Sequence, residues 1–203
     1  MKNTNHSLFD KYEMIKDLGT GSSGSVTLVR HISMDQERAL KKVPKASAFA
    51  ESALSEARLL KSLEHPSIPR IFDFEDDDAF YYIVEEYIDG ETLDSFLLHQ
   101  QLISPGLFFN ICEQLCNVFI YLHTQISTPI IYRDLKPEHI IVCHNKLKLI
   151  DFGVSAYVIQ DGNNFNHYGN IEFSAPECFT EDTITPAADI YSLGQLLQYI
   201  LTF

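Results

Sequence analysis

One stretch constrains this chain more than any other: residues 130–153, with the sequence IIYRDLKPEHIIVCHNKLKLIDFG. Two short apolar runs flank the dipeptide His144-Asn145, and this pattern predicts a small β-hairpin. An aspartate stands near each end of that hairpin, Asp134 in the polar loop before it and Asp151 directly after it. Two carboxylates on rigid strand ends can divide the chemistry between them, one accepting a proton and the other binding a metal ion.

The motifs YRDLKPEH and DFG follow each other here with 17 positions between the two aspartates (151 − 134 = 17). DFG alone is a common tripeptide, but in this order and at this spacing the motifs resemble eukaryotic-type Ser/Thr protein kinase catalytic domains in their bacterial-like form. The resemblance implies an α+β, protein-kinase-like bilobal fold. We expect a small β-rich N-lobe with its helix C in residues 1–86, and a mostly helical, incomplete C-lobe in residues 87–203.

A glycine-rich motif lies near the N-terminus, between strands predicted at residues 12–18 and 26–30. Its residues are Gly19, Gly21, Gly24 and Val26. A dinucleotide-binding turn would open a helix, whereas β-branched and apolar residues follow here, which favours a hairpin whose backbone N–H groups cover phosphates. An ordinary Gly/Ser hairpin turn remains the alternative.

The next segment adds a strand and a helix. Residues 38–43 predict a strand on which Ala39 and Lys41 share one face, while Lys42 lies on the other and is expected in solvent. This resembles the kinase A-x-K strand, in which Lys41 reaches the phosphates of ATP. The apolar period of residues 50–63 predicts a helix that resembles helix C, so Glu56 is expected to pair with Lys41. The alternative is a surface glutamate on an amphipathic helix.

Strands predicted at residues 68–74 and 80–86 lead into a segment that resembles the hinge between the kinase lobes. The resemblance implies that the backbone carbonyl of Glu86 and the N–H of Ile88 hydrogen-bond the adenine of ATP. It also assigns Ile141, in the first strand of the later hairpin, to nucleotide contact.

The resemblance assigns the chemistry to the loop around Asp134. Asp134 accepts or orients the proton of the substrate hydroxyl, Lys136 steadies the γ-phosphate, and Asp151 chelates Mg²⁺. Lys136 at this position is the Ser/Thr-kinase form of the loop, so the expected reaction is ATP-dependent phosphorylation of Ser or Thr in proteins. His139 replaces the usual asparagine ligand of the second metal, which predicts slow turnover and a relative preference for Mn²⁺. The alternative is that His139 only hydrogen-bonds the loop backbone and binds no metal.

Helices are predicted at residues 92–99, 105–125 and 187–201. The last of them resembles helix F, in which Asp189 ties down the backbone of the catalytic loop. The sequence ends directly after this helix, so we expect a truncated C-lobe, apolar area exposed on helix F, and self-association or a covering partner.

The activation segment contains no serine or threonine between Ser155 and Ser174, and only Tyr157 and Tyr168 carry hydroxyls there. Activation by threonine phosphorylation is therefore not expected, although Arg133 is placed to bind a phosphate. Asn170 takes the position where Ser/Thr kinases usually carry a threonine that contacts the catalytic aspartate.

Composition restricts the partners. The net charge of −13 argues against nucleic acid and against anionic membrane surfaces as partners. The sequence contains no run of about 20 apolar residues, the length needed to span a bilayer. The polar N-terminus shows no signal pattern. The four cysteines lack metal-ligand spacing, so Cys112 and Cys116 are expected in the core and the chain in a reducing cytoplasm.

Three rival functions stay open. A pseudokinase, a nucleotide-binding interaction module, is favoured by His139, by Glu85 and by the truncation. The intact lysine, glutamate and two aspartates speak against it. A small-molecule phosphotransferase on a related fold is disfavoured by Lys136-Pro137 and by the later sequence APE, which resemble parts of a peptide platform. The third rival is a non-functional fragment.

Overall fold

The computed structural model describes residues 8–21, 24–157, 170–180 and 184–203. These described residues form two compact units, one within residues 8–64 and 69–87 and the other within residues 65–68 and 88–203. Residues 65–68 group with the second unit, although they precede the division expected after residue 86. The reason is local: the Ser67 carbonyl accepts a hydrogen bond from the Leu149 N–H at 2.8 Å, and the His65 ring packs on Tyr121 at 5.1 Å.

The first unit is built on an antiparallel sheet with the strand order β1-β2-β3-β5-β4. Its strands are β1 (Tyr12–Gly21), β2 (Gly24–His31), β3 (Gln36–Pro44), β4 (Ile71–Asp76) and β5 (Phe80–Glu86). The glycine-rich motif joins β1 to β2 with Gly21 paired to Gly24, so the predicted hairpin is observed and not the rival strand-to-helix turn.

Each face of this sheet buries its own apolar cluster, because successive side chains of a strand alternate between faces. Helix α2 (Ala50–Lys61) covers one face, and helix α1 (Leu8–Lys11) the other. The first cluster contains Val43, Ala53, Ala57 and Ile83; the second contains Leu8, Tyr12, Val29, Leu40, Tyr82 and Val84. Lys42 was expected in solvent but is half-buried, with its ammonium 4.0 Å from the centre of the Phe80 ring, where a cation–π contact holds it.

The second unit combines helices with two small sheets, β6-β8-β9 and β10-β7. In chain order its elements are β6 (Glu91–Thr92), α3 (Leu93–Leu98), α4 (Pro105–Ile120), β7 (Ile130–Ile131), β8 (Ile140–Cys143), β9 (Lys146–Leu149), β10 (Ala156–Tyr157), α5 (Glu177–Thr180) and α6 (Ala187–Thr202). With the strand-rich first unit, this confirms the α+β class. Within the described ranges, no helix is long and apolar enough to cross a membrane.

Helix α4 starts at a well-formed cap. The Ser104 hydroxyl accepts the Leu107 N–H at 3.2 Å, and Pro105 occupies the first helical position, where its missing donor costs nothing. The helix ends at Ile120 and continues as a π-helical turn, Tyr121–Gln125. Its buried stripe is narrower than predicted: Cys116 is exposed and Cys112 half-buried, so core packing of these thiols was wrong. Both lie beside the buried stripe that Ile111, Leu115, Val118 and Phe119 form.

The hairpin of β8 and β9 forms as the sequence predicts, with Cys143 opposite Lys146 across the turn. His144 in that turn takes a left-handed φ of 49°, which is unusual for a residue with a side chain. Gly90 approaches the same hairpin from the other side, where an added Cβ would lie 2.4 Å from the Val142 carbonyl oxygen. Only glycine therefore allows this close contact.

Candidate active site

In the first unit, β3 and α2 bring together one lysine and one glutamate. The Lys41 ammonium lies 2.6 Å from Glu56 Oε2, and their side chains are only 18% and 7% exposed. Ala39 is buried two residues before Lys41, so a small side chain shares that face of the sheet. A carboxylate as buried as Glu56 is costly unless it is paired, and the ion pair fixes the direction of the lysine chain.

The glycine-rich hairpin belongs to the same unit. Gly19 pairs with Val26 across β1 and β2, and two register shifts in β1 bend this part of the strand. Gly24 has a φ of 144°, and a Cβ there would lie 2.1 Å from the Lys42 carbonyl oxygen. The residues at the tip, 22 and 23, lie outside the described part of the chain.

In the second unit, one buried carboxylate holds the catalytic loop. Asp189 of α6 is fully buried and accepts two backbone N–H groups, from Tyr132 to Oδ2 and from Arg133 to Oδ1, each at 2.8 Å. His123 Nε2 also lies 2.8 Å from Asp189 Oδ2. The tie between helix and loop that the resemblance implied for Asp189 is therefore present, with a third partner that the sequence gave no reason to expect.

The loop places an aspartate and a lysine beside each other. The Lys136 ammonium lies 3.0 Å from Asp134 Oδ2, with both side chains partly exposed. The neighbouring Arg133 has a left-handed φ of 71°, as does Asp151 with 60°. Strained backbone at two positions of one site persists only where the surroundings impose it, and it is common at functional sites.

Side chains from the loop also pack against the DFG motif. The Tyr132 ring contacts the buried Phe152 ring edge to face at 5.0 Å, and its hydroxyl donates to the Ile150 carbonyl. The Arg133 guanidinium is buried and donates through Nε to the Val154 carbonyl at 2.6 Å. It therefore faces the backbone after DFG, whereas the sequence placed Arg133 ready to bind a phosphate.

His139 lies between the two aspartates of the site. Its Nδ1 is 3.0 Å from the Asp134 carbonyl oxygen, and its Nε2 is 3.5 Å from Asp151 Oδ2. Because a carbonyl only accepts, Nδ1 carries the proton of this hydrogen bond, which leaves Nε2 of a neutral ring as a lone-pair donor. The backbone hydrogen bond and a metal-ligand role, which the sequence left as alternatives, are thus compatible.

The residues present fit a divalent ion in part. His139 Nε2 and Asp151 Oδ2 lie 3.5 Å apart and are the side-chain atoms that would hold a divalent ion. Asp151 is also half-exposed, so solvent or phosphate oxygens can complete a coordination shell. Among the described residues, no three acidic, histidine or cysteine side chains form a metal site by themselves. The chain therefore supplies an incomplete set of ligands.

The remaining residues expected at the nucleotide lie in strands or between them. Glu86 ends β5, with its N–H donating to the Arg70 carbonyl at 2.9 Å, and Ile88 begins the second unit. Ile141 lies in β8 opposite Thr92 and is half-buried.

In the activation segment, Asn170 turns inward on its own loop, because its side-chain oxygen accepts the Glu172 N–H at 2.9 Å. Tyr168 of the activation segment lies outside the described residues.

Two supporting residues were missed by the sequence reasoning. His123 contacts Asp189 across 66 positions, and Gln114 of α4 hydrogen-bonds the backbone of the β8–β9 hairpin. Neither belongs to a motif. The sequence offered a signal only for Gln114. This polar residue directly precedes Leu115, which belongs to the predicted buried face of the helix, so a buried polar partner could have been expected there.

Comparison with known proteins identifies the family. A family model described as protein kinase domain matches residues 12–203. The chain therefore belongs to the protein kinase domain family.

Its curated relatives include three serine/threonine-protein kinases. PrkC of Bacillus subtilis is 31% identical over 201 residues, which cover 95% of this chain and 30% of PrkC. The kinase ppk25 of Schizosaccharomyces pombe is 33% identical over 188 residues, 90% of this chain and 44% of ppk25. PknB of Mycolicibacterium smegmatis is 29% identical over 208 residues, 96% of this chain and 33% of PknB. The chain thus spans less than half the length of these relatives.

Proposed function

We propose that this chain transfers the γ-phosphoryl group of ATP to serine or threonine hydroxyls of proteins. The observation that carries the proposal is the loop in which Lys136 lies 3.0 Å from Asp134, held by the buried Asp189. The relatives named serine/threonine-protein kinases support the same acceptor class.

Asp134 acts on the acceptor hydroxyl, and Lys136 acts on the phosphate that is transferred. Asp134 accepts a hydrogen bond from the acceptor hydroxyl and orients its oxygen, while Lys136 neutralises charge on the transferred phosphate. Because the loop backbone is tied to Asp189 at two N–H groups, both side chains start from a fixed backbone. The rate gain comes from alignment and charge stabilisation.

In the first unit, Lys41 binds the α- and β-phosphates, and Glu56 fixes its ammonium. The glycine-rich hairpin with Gly19, Gly21, Gly24 and Val26 supplies backbone N–H groups to the phosphates. Ala39, Glu86, Ile88 and Ile141 contact the adenine. The 2.6 Å ion pair and the hairpin register support these roles.

Asp151 and His139 bind the divalent ion, Mg²⁺ or Mn²⁺. When bound, the ion neutralises the phosphate charge that develops during transfer. Imidazole suits Mn²⁺ better than Mg²⁺, which prefers oxygen ligands, so we expect weak binding of a second Mg²⁺. His139→Asn is expected to raise the rate with Mg²⁺ and to reduce the preference for Mn²⁺. Equal rates and an unchanged metal preference would remove the metal role of His139.

A pseudokinase is the second candidate, and one observation favours it. His139 Nδ1 is bonded to the Asp134 carbonyl at 3.0 Å, a contact that serves the loop without any metal. This candidate predicts ATP binding without phosphate transfer.

A transfer assay separates the two candidates. Radiolabelled ATP and a generic Ser/Thr protein substrate are incubated with the chain in Mg²⁺ and, in parallel, in Mn²⁺. The matched variants are Asp151→Ala and Asp78→Ala, which removes an exposed carboxylate outside the site. We expect transfer by wild type and Asp78→Ala and loss of at least about 100-fold in Asp151→Ala. Binding of ATP without transfer in both metals would contradict the kinase proposal.

Two further points belong to this proposal. Ile190, Tyr191, Leu201 and Phe203 of α6 are exposed, which supports self-association or a protein partner at this helix. Sedimentation at increasing concentration tests it, and a monomer throughout would remove self-association.

A cytoplasmic location is supported by the four cysteines, which form no disulfide.

A further inference from the structure

The second unit contains a cavity of about 470 Å³ away from the residues of the candidate active site. The segment before Ile68, helix α4, the π-helical turn after it and strand β9 form its walls. The catalytic loop and the DFG motif contribute nothing to the lining. Its size is that of ordinary ligand pockets.

The walls are held by hydrogen bonds. Gln114 donates to the Asn145 carbonyl at 2.9 Å and accepts the Leu147 N–H at 2.8 Å, which fixes α4 to the β8–β9 hairpin. The Ser67 carbonyl accepts the Leu149 N–H at 2.8 Å, which fixes the opposite wall to the same strand. The cavity is therefore formed before any ligand enters.

Its lining combines apolar and polar side chains. Pro66, Ile120 and Leu147 supply the apolar surface. Of the polar groups, the amides of Asn117 and Gln125 and the ammonium of Lys146 have no protein partner among the described residues. A site of this kind offers hydrogen bonds of both polarities, one positive charge and room for an aliphatic side chain.

The spacing of the polar lining residues favours an extended ligand. Asn117 and Gln125 are eight positions apart along a continuous helical segment, which corresponds to roughly 12 Å at 1.5 Å per residue. Three to four extended peptide residues span about the same length. Side-chain amides match the alternating N–H and C=O groups of such a peptide.

We propose that this cavity binds an extended peptide segment of a partner protein, with a carboxylate next to an aliphatic side chain. Lys146 pairs with the carboxylate, the amides of Asn117 and Gln125 bind the peptide backbone, and the aliphatic side chain rests on Ile120. Lys146 is the charged group of the lining that favours an acidic over a basic peptide at this site.

Fluorescence anisotropy with two labelled, capped peptides tests the proposal without ATP. One peptide is Glu-Leu-Asp-Leu-Glu and the other is Lys-Leu-Lys-Leu-Lys. We expect the chain to bind the acidic peptide with a dissociation constant on the order of 100 µM. Lys146→Glu should weaken binding about tenfold and Asn117→Ala about threefold. Lys16→Glu is the matched control, since it makes the same charge change on β1, outside the lining, and should leave binding unchanged.

Four outcomes would overturn the proposal. They are absence of saturable binding at about 1 mM acidic peptide, equal losses in Lys146→Glu and Lys16→Glu, tighter binding of the lysine peptide, and displacement of the acidic peptide by equal concentrations of inorganic phosphate. The last result would assign the cavity to small anions. Asn117 is exposed and uncharged, so Asn117→Ala should fold normally. This variant therefore still tests the cavity if Lys146→Glu unfolds.

Discussion

The two units of this chain hold their functional side chains by different means. In the first unit, one ion pair between Lys41 and Glu56 joins a strand to a helix. In the second, the buried carboxylate of Asp189 accepts two backbone N–H groups and contacts His123. The first arrangement depends on two opposite charges. The second depends on one carboxylate that accepts the backbone N–H groups of Tyr132 and Arg133.

This difference has a physical consequence. Removing one member of an ion pair leaves the other charge buried, yet removing both can restore most of the stability. A carboxylate that satisfies backbone N–H groups has no such compensation, because the N–H groups stay in place after the side chain is gone. The first site should therefore tolerate paired substitutions that the second does not.

The largest effect is expected at Asp189. Asp189→Ala leaves the N–H groups of Tyr132 and Arg133 buried without their acceptor and should lower the free energy of unfolding by about 3–4 kcal/mol. Urea denaturation measures this loss. The control is Ser192→Ala on the same helix, where a buried hydroxyl only bonds the Ala188 carbonyl and its loss costs less than about 1 kcal/mol. Equal losses in both variants would show that Asp189 does not hold the loop.

The second effect concerns the ion pair. Lys41→Met should lower the free energy of unfolding by about 2 kcal/mol, because Glu56 is only 7% exposed and loses this ion-pair partner. The double variant Lys41→Met with Glu56→Leu should recover most of that loss, while phosphate transfer stays absent in both. Stability is measured in urea and transfer with labelled ATP. A double variant less stable than the single one would contradict the comparison.

The sequence predicted most of the fold because the kinase motifs lie in or beside short elements with clear local patterns. The motif around Lys41 is a strand, the period around Glu56 is a helix, and the hairpin before Asp151 has a two-residue turn. Each of these is a local pattern of side chains. The ion pair followed once the resemblance had been established.

What the sequence did not predict depends on contacts between distant residues. His123 meets Asp189 over 66 positions, and Ser67 meets Leu149 over more. The exposure of Cys116 likewise depends on which elements happen to cover α4, which periodicity alone cannot show. Tertiary contacts decide such details.

A smaller effect is expected from Gln114, which supports the hairpin that ends before Asp151. Gln114→Met keeps the chain length but removes the bonds to the Asn145 carbonyl and the Leu147 N–H, and should cost about 1–2 kcal/mol. The matched control is Gln195→Met on α6. We also expect a lower transfer rate with an unchanged KM for ATP. An unchanged rate would show that the hairpin needs no support from α4.

The smallest effect is a dependence of the free energy of unfolding on pH. It arises in the second unit, to which His65 belongs. Burial, followed by the nearby charge of Lys148, holds the pKa of His65 below its ordinary value of 6.5. Its Nδ1 accepts the Ser67 N–H at 3.1 Å, a bond that the protonated ring cannot make. The unfolded chain therefore binds the proton more readily, so stability should fall as the pH drops from 6.5 towards the lower pKa of the folded state.

His65→Asn removes this titration and keeps a hydrogen-bond acceptor near the Ser67 N–H. Urea midpoints at a series of pH values between about 7.5 and 5 should decline for the wild type and decline less for His65→Asn. His144→Asn, at the exposed hairpin turn, is the control and should follow the wild type. Parallel curves for all three proteins would mean that the neutral His65 contributes nothing to the segment that joins residues 65–68 to the second unit.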